Sequence, residues 1–432
     1  MSTRPSFHAV TIDPDGTALD GTRVTETPDG VLSSLPALLA RLAPVFEREG
    51  AGVVILSGGA AEALCVPLTA PRTPAEAKDH PVLTAPRAVG WRVSAVAPWM
   101  TFWGEQRPTL HIAVHPALDP QATGPLYDPV PFEMSWHAHR FHTLTGGAYH
   151  ATPGVTGVGL LRDGYRGRKA PYWTPGERRW PAGTRQAEYD LLWERGGPAG
   201  GRYVHGYDAR QMYLAAAGVA QLAIGELRHS GPRCRPSDKT AGYWRIERPT
   251  WNERRMPDPL GHRQRGVREG REALWVTTPT LLLLDELAEQ GATSAPVVLD
   301  SWTAEAGRVM RGWAETLTRA LAVVRESSDP ADARQLAALK ATYAQSLGMM
   351  ARETSRVHRP DWRHAVIGTA RANFWRKVWR VAQVEDRWPV SVRVDCVRYA
   401  ADTRDPVAAV PSGIALGEGA GAFKIESTEE AA

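Results

Sequence analysis

Two helical patterns lie back to back late in the chain, TAEAGRVMRGWAETLTRALAVVRES (303–327) and DPADARQLAALKATYAQSLGMMARE (329–353). The second opens on Asp329-Pro330-Ala331-Asp332, a helix start signal. So short a link predicts an antiparallel helical hairpin. The flanking segments carry a different period. YVHGY before the pair and WPVSVRVDCVRYAAD after it read as strands, the second with apolar residues at every other place from Val390 to Val394. A third helix, HAVIGTARANFWRKVWRVAQVED, lies between the hairpin and that late strand. The predicted class is α/β, of the α+β kind.

The 432 residues allow one very large domain or two to three ordinary ones. With 43% hydrophobic and 23% charged residues the composition is that of a globular chain. The longest apolar stretch, LWVTTPTLLLLDEL, is too short for a bilayer and is broken by Pro279, so no membrane partner is expected. MSTRPSFHAV lacks the three-part pattern of a signal peptide. The three cysteines, Cys65, Cys234 and Cys396, are too few and too scattered for a disulfide framework or a zinc ribbon. Together these predict a cytoplasmic setting. Only six of the 51 basic residues are Lys, so each surviving Lys draws notice as a compact ammonium. The formal charge is +4, and several of the 16 Trp stand beside Arg. Such pairs suit phosphate contacts and base stacking, although most of the Trp are expected in the core.

The first 160 residues read as a sheet with a covering helix. FHAVTID is a strand, LSSLPALLARLAPVFEREG an amphipathic helix ending at a Gly, and GVVILSGG a buried strand. WRVSAVAPWMTFWG and TLHIAVHP read as a paired hairpin. Residues 161–190 form a basic, aromatic linker, and a second basic loop spans Arg245 to Arg271. WHAHRFH holds His137, His139 and His142; ligation of a metal by all three needs strand geometry for the first pair and a bend for the last.

Three distant residues carry the chemistry. Asp208 follows a strand and precedes a helix carrying Tyr213, Lys340 lies within a helix, and Asp395 lies within the late strand. Two carboxylates on neighbouring strands can hold two Mg²⁺ (or Mn²⁺) ions, which activate a 3′-hydroxyl and stabilise departing pyrophosphate. A helix-borne Lys suits a triphosphate. Tyr213 is placed to lie under an incoming sugar and exclude a 2′-hydroxyl. Blander readings stand beside these. Asp208 could be a helix N-cap, Asp395 could pair with Arg393 or Arg398, and Lys340, Lys424, Arg311 and Arg319 could be solvated surface cations.

The order and spacing resemble the family B DNA polymerases, particularly the protein-primed phage and plasmid branch. YDARQMY resembles D-x-N-S-L-Y-P at Asp208 and Tyr213; ALKATYAQSLG resembles K-x-x-x-N-S-L-Y-G at Lys340 and Gly348. VRVDCVRY resembles Y-x-D-T-D-S-V, with Asp395 on the second Asp and Arg393 on the first. ERGGPAGGRY resembles the template-contacting Y-x-G-G element at Gly196 and Gly197, beside Arg195, and GAFKIES resembles the strand after the third motif, with Lys424 near its end. The resemblance covers residues 190 to 426 and is weaker before them.

It implies an RNase H-like, exonuclease-like domain over 1–160, then a palm with an antiparallel sheet over 191–432, with helical-hairpin fingers inserted at about 300–355. The implied catalytic residues are Asp208, Asp395 and Lys340, with Asp208 and Asp395 as metal ligands. Tyr213, Lys340, Gly348, Arg311 and Arg319 would bind nucleotide, and Arg195, Gly196, Gly197 and Lys424 would bind DNA. The implied partners are DNA, dNTP and a terminal or accessory replication protein. The implied function is DNA-templated nucleotidyl transfer of low processivity, at the DNA ends of a mobile or linear replicon. Several departures favour a rival, a catalytically silent DNA-binding protein of polymerase ancestry. Ala344 and Leu347 replace Asn and Tyr in the fingers motif, Arg393 replaces an Asp, and no thumb follows Lys424. The D-x-E exonuclease start is IDPDG, with Asp13 and Asp15, and Tyr189-Asp190 is the nearest remnant of a further exonuclease carboxylate, so proofreading is expected to be absent.

Overall fold

The computed structural model describes residues 8–14, 18–20, 23–25, 34–47, 51–66, 80–96, 99–150, 152–165, 180–196, 200–261, 273–353, 355 and 357–431. Its contacts divide the chain into two units, Met1–Arg166 with Arg319–Leu347 and Gly167–Thr318 with Gly348–Ala432. No helix among the described residues is long and apolar enough to cross a membrane.

The first unit is built on a seven-stranded sheet. Its strands are β1 (Ala9–Ile12), β2 (Ala18–Asp20), β3 (Arg23–Thr25), β4 (Ala51–Leu56), β5 (Arg92–Val96), β6 (Trp99–Gly104) and β7 (Arg107–Val114), in the order β3-β2-β1-β4-β7-β6-β5. β4 runs parallel to both β1 and β7, and the remaining pairs are antiparallel. Helix α1 (Leu35–Phe46), capped by the Ser34 hydroxyl, seals one face. Leu38, Leu39, Leu42 and Phe46 pack there on Val10, Ile12, Val54 and Ile112. Helix α2 (Pro131–Thr145) seals the other with Met134 and Ala138 against Ala9, Val53, Ile55 and Ala113. Helix α3 (Pro153–Asp163) follows it. Two local expectations change. WRVSAVAPWMTFWG is itself the β5–β6 hairpin, with TLHIAVHP added as β7. WHAHRFH is helical, because it continues a turn opened by Pro131 at its first position.

In the second unit, β12 (Thr240–Glu247) lies between β13 (Ala273–Thr277) and β14 (Val298–Gly307), and β14 also pairs with the short strands β10 (Leu222–Ala223) and β11 (Arg228–His229). A second sheet has the order β17-β9-β16-β15-β8, antiparallel throughout, from β8 (Leu192–Glu194), β9 (Tyr203–Ala209), β15 (Ser391–Arg393), β16 (Cys396–Ala401) and β17 (Phe423–Glu430). Helix α4 (Met212–Val219) follows β9, and α5 (Thr278–Glu289) follows β13.

The two helices of the hairpin are α6 (Arg311–Glu326) and α7 (Asp332–Met350), and α8 (Pro360–Glu385) is the third helix. α6 begins later than its sequence pattern predicts. Thr303–Gly307 is instead the end of β14, where Gly242 pairs with Thr303 and Thr240 with Glu305. Pairing with β12 overrides the helix propensity of Ala-Glu-Ala. The late strand is also corrected, because WPVSVRVDCVRYAAD folds back on itself. Arg393 pairs with Cys396 and leaves Val394 and Asp395 as a two-residue turn. Of the two basic loops, 166–179 and 262–272 lie outside the described residues, and Arg245–Glu247 belongs to β12.

Candidate active site

Asp208 sits in β9, flanked in register by Cys396 on β16 and Lys424 on β17. Strand alternation turns Ala209 and its partner Phe423 to the opposite face, where they line a cleft of about 410 Å³ with Met212, Ala216, Phe374 and Lys377. The Asp208 side chain is 14% exposed, and the Lys424 ammonium lies 3.1 Å from its Oδ2. Gly206 shares the Asp208 face. A Cβ there would stand 2.7 Å from Ser427 Oγ and 3.5 Å from Cys396 Sγ, so a larger residue would have to turn the Ser427 hydroxyl aside. Asp208 is not a helix cap: α4 is entered through Gln211 in the left-handed region, at φ 51°.

Asp395 occupies the β15–β16 turn rather than a strand. Val394 before it has φ 58°, an outlier for a β-branched residue. Two backbone bonds fix the turn: Val394 N–H donates to Leu191 O at 2.7 Å, and Ala209 N–H donates to Asp395 O at 2.7 Å. The second ties Asp395 to the residue next to Asp208. Burial, and next the Asp208 charge, push the Asp395 carboxyl up to about 6, and Lys424 acts in the opposite sense. The readings that paired Asp395 with a neighbouring Arg give way, since Arg393 reaches Glu194 at 3.7 Å and Arg398 pairs with Glu429.

A third carboxylate was not legible in the sequence. The β9–β17 register shifts between Ile425 and Ser427, leaving Glu426 as the extra residue of a bulge. Its carboxylate accepts the Cys396 thiol and acts on Asp395. Burial foremost, with Glu426, Asp208 and Asp395 adding to it, pushes the Cys396 thiol up, so it stays protonated.

Tyr213 is held by the segment that also anchors the Asp395 turn. Its hydroxyl donates to Asp190 Oδ1 at 3.3 Å. Burial, then the charges of Asp190 and Asp395, raise its pKa, while Arg363 lowers it. Asp190 therefore belongs with Tyr213 in the second unit and is not an exonuclease remnant in the first. The segment is pinned from below. Arg371 donates to Tyr189 O at 2.7 Å and pairs with the buried Glu188 carboxylate. Glu188 also accepts from Thr277 N–H at 2.8 Å and Thr280 Oγ1 at 2.9 Å. Glu188, Arg363, Arg371 and Glu426 form no local motif, which is why sequence reading passed them over, and Asp190 was read for another role.

The other predicted residues divide between the two units. Lys340 and Arg319 are exposed and belong to the first unit; Arg311 and Gly348 are exposed in the second. Arg311 donates to Glu315 at 2.7 Å, one turn along α6. Arg195 extends β8 by donating its N–H to Val390 O at 2.8 Å. Gly196 is exposed beside it, and Gly197 lies outside the described residues, as does Asp15. Asp13 is half-buried just past β1.

Asp208 and Asp395 offer hard oxygen donors whose charges act on each other. Among the described residues no group of three or more His, Cys, Asp or Glu is placed to hold a metal ion. That donor set fits Mg²⁺, which is usually held by one or two carboxylates and completed by water and substrate phosphates.

Neither a family model nor a curated protein matches the sequence. Among solved structures, the chain is similar to phi29 DNA polymerase complexed with primer-template DNA and incoming nucleotide substrates, with TM-score 0.53, 13% identity, and coverage of 95% of this chain and 79% of that one. It is similar to the same polymerase complexed with single-stranded DNA (TM-score 0.52, 11% identity, 98% and 84% covered). A third match is its primer-template binary complex, with TM-score 0.52, 12% identity and the same coverage. At this identity the likeness is one of fold, and the fold is that of an α+β polymerase.

Proposed function

We propose that the protein carries out DNA-templated nucleotidyl transfer, as a divergent polymerase of the family B type. One observation carries the reading: two acids 187 positions apart meet at one end of a β9–β16 pair, with Tyr213 held beside them. In this reading Asp208 and Asp395 hold divalent cations. Mg²⁺ bound there would supply charge stabilisation for phosphoryl transfer. Tyr213, fixed through Asp190, lies against the incoming sugar and selects dNTP over its 2′-hydroxylated counterpart. Arg363 adds a cation next to Tyr213. The nucleotide roles of Lys340, Gly348, Arg311 and Arg319 and the DNA roles of Arg195, Gly196, Gly197 and Lys424 rest on the motif resemblance. So do the division into exonuclease-like domain, palm and fingers, the replication partner and the linear or mobile replicon.

A second reading, a silent DNA-binding protein, draws support from the Lys424–Asp208 ion pair, which already neutralises one proposed metal ligand. Primer extension with Mg²⁺ or Mn²⁺ separates the two. The enzyme reading expects extension that Asp395→Asn and Asp208→Asn abolish while DNA binding persists. Binding without extension under either metal, whatever the primer, selects the silent reading. In both, DNA affinity falls as salt rises, through counterion release.

A further inference from the structure

The cleft of about 410 Å³ behind β9 has no part in the site described above. It lies on the face of the sheet opposite Asp208, with α4 and α8 as its walls. The room exists because small side chains stand where larger ones would fill it: Ala215 and Ala216 of α4, Ala370 of α8 and Ala209 of β9. Gly421 completes the wall at φ 81°, where a Cβ would come 3.4 Å from that of Ala215. The floor is formed by Phe374 and Phe423, both buried, with ring centroids 6.0 Å apart. Val219, 49% exposed, marks the mouth. Backbone bonds hold this shape open. Arg210 N–H donates to Ala422 O at 2.8 Å, and Gly421 N–H donates to Arg210 O at 2.7 Å.

The charge around the cleft has one sign. α8 brings Arg376, Lys377 and Arg380 to it, and no Asp or Glu is among its lining residues. Arg376 is taken up by Glu286 of α5 at 2.7 Å. Arg380 is exposed and has no ion-pair partner among the described residues. Lys377 is half-buried, with its ammonium 5.1 Å from the centre of the Phe423 ring. That ammonium donates to Gly421 O at 2.7 Å, which occupies one of its three donors. Burial lowers its basicity, as it does for a cation without a counter-charge, and an anion in the cleft would offset that. Apolar walls with a few convergent polar groups, in a volume of this size, are the makeup of a small-molecule site.

We propose that this cleft binds a small anionic amphiphile, a carboxylic acid with a hydrocarbon body. Its head meets Lys377 and Arg380, and its body lies against Phe374, Phe423 and the alanines. A nucleic-acid phosphate would account for the cations but not for the walls, whose alanine, valine, methionine and phenylalanine side chains offer base edges no hydrogen-bond partner. Asn373, the one uncharged polar side chain of the lining, has its Oδ1 engaged by Arg376 at 3.2 Å. The site is independent of the nucleotidyl-transfer reading and needs neither metal nor DNA.

Calorimetric titration of the full chain with decanoate below its micelle concentration, without metal, nucleotide or DNA, tests the site. The wild type and Asp208→Asn are expected to bind one decanoate per chain. Lys377→Met, which keeps an apolar stem and discards the charge, is expected to weaken binding by about tenfold, in line with a lost charge-assisted hydrogen bond. Ala215→Leu, which fills the cleft from α4, is expected to abolish it. Arg380→Gln, at an exposed position, is expected to weaken binding as well and serves if Lys377→Met does not fold. Acetate and decanol, the head and the body alone, are expected to compete poorly. Binding that is absent from the wild type, unsaturable, or unchanged in the folded variants overturns the proposal. So does displacement of decanoate by an oligonucleotide or by inorganic phosphate, which would assign the cations to phosphate.

Discussion

Lys424 on β17 stands opposite Asp208 on β9, its Nζ 3.1 Å from the carboxylate, so the ligand proposed for a divalent cation already has a monovalent one. The Lys424 side chain is 41% exposed, and a pair this open is worth under about 1 kcal/mol. A divalent ion would have to displace or share it. Lys424→Ala is therefore expected to tighten Mn²⁺ binding by up to about fivefold, read by calorimetry or by Mn²⁺ spin resonance without DNA. Weaker binding in the variant would show that Lys424 helps position Asp208 instead of competing for it.

Asp395 gives the fold a pH-dependent weakness. Its pKa rises from 3.8 to about 6 in the folded chain, through burial and then through Asp208. The folded state holds the proton more tightly than the unfolded state, so stability is highest below about pH 4. It falls as pH rises through the folded pKa near 6. The loss is at most ~3 kcal/mol at about 1.4 kcal/mol per unit, and solvent at the half-buried turn reduces it. Asp395→Asn keeps the shape and discards the charge. It is expected to raise the melting temperature near pH 8 in metal-free buffer and to change little near pH 4. Equal melting of variant and wild type at both pH values would show that the two acids do not strain each other.

Sequence patterning made α1, α6, α7 and α8 and strands such as β1, β4 and β9 visible because apolar spacing decides them, whereas α2, α3, α5 and the β12–β14 sheet went unread. Trp313, Leu317, Ala320 and Val324 recur at helical intervals and are buried. Asp208 was legible for a local reason, a carboxylate between a strand and an apolar helix. The Asp395 turn was not. The Val390–Val394 alternation runs straight into it, and a Val at positive φ carries no turn signal. Glu426 was hidden because its placement depends on a bulge, which is a property of strand pairing. The Glu188–Arg371 anchor joins residues 183 positions apart and leaves no mark on either segment.

Tyr213 can be separated into two functions. Its hydroxyl bonds Asp190 at 3.3 Å, a long bond, so Tyr213→Phe is expected to cost under about 1 kcal/mol in stability. The ring is the part proposed to meet the sugar. Tyr213→Val removes it and is expected to raise rNTP use relative to dNTP by about tenfold or more, in line with steric discrimination of ~1–3 kcal/mol. Competitive single-nucleotide incorporation measures the ratio. An unchanged ratio in a variant that still extends primers would remove Tyr213 from the sugar site.

The heaviest structural consequence is assigned to Glu188. Its side chain is fully buried, and so, at 4%, is that of its partner Arg371. Arg371 also donates to Thr280 at 2.8 Å and to the carbonyl of Tyr189. Taking away the carboxylate leaves a guanidinium that cannot lose its proton inside the unit, a cost of roughly 3–5 kcal/mol. Glu188→Ala is expected to be destabilised by about that much in urea unfolding, where Glu188→Gln, which keeps a neutral acceptor, loses less. The damage should also travel along the chain. The residues after Glu188 hold Tyr213 through Asp190 and the Asp395 turn through Leu191 O, so loosening them disturbs both sides of the site. Glu188→Gln is accordingly expected to retain DNA affinity while losing extension rate. A variant of wild-type stability, or one whose lost extension is matched by lost DNA binding, would show that the segment does not transmit order to the site.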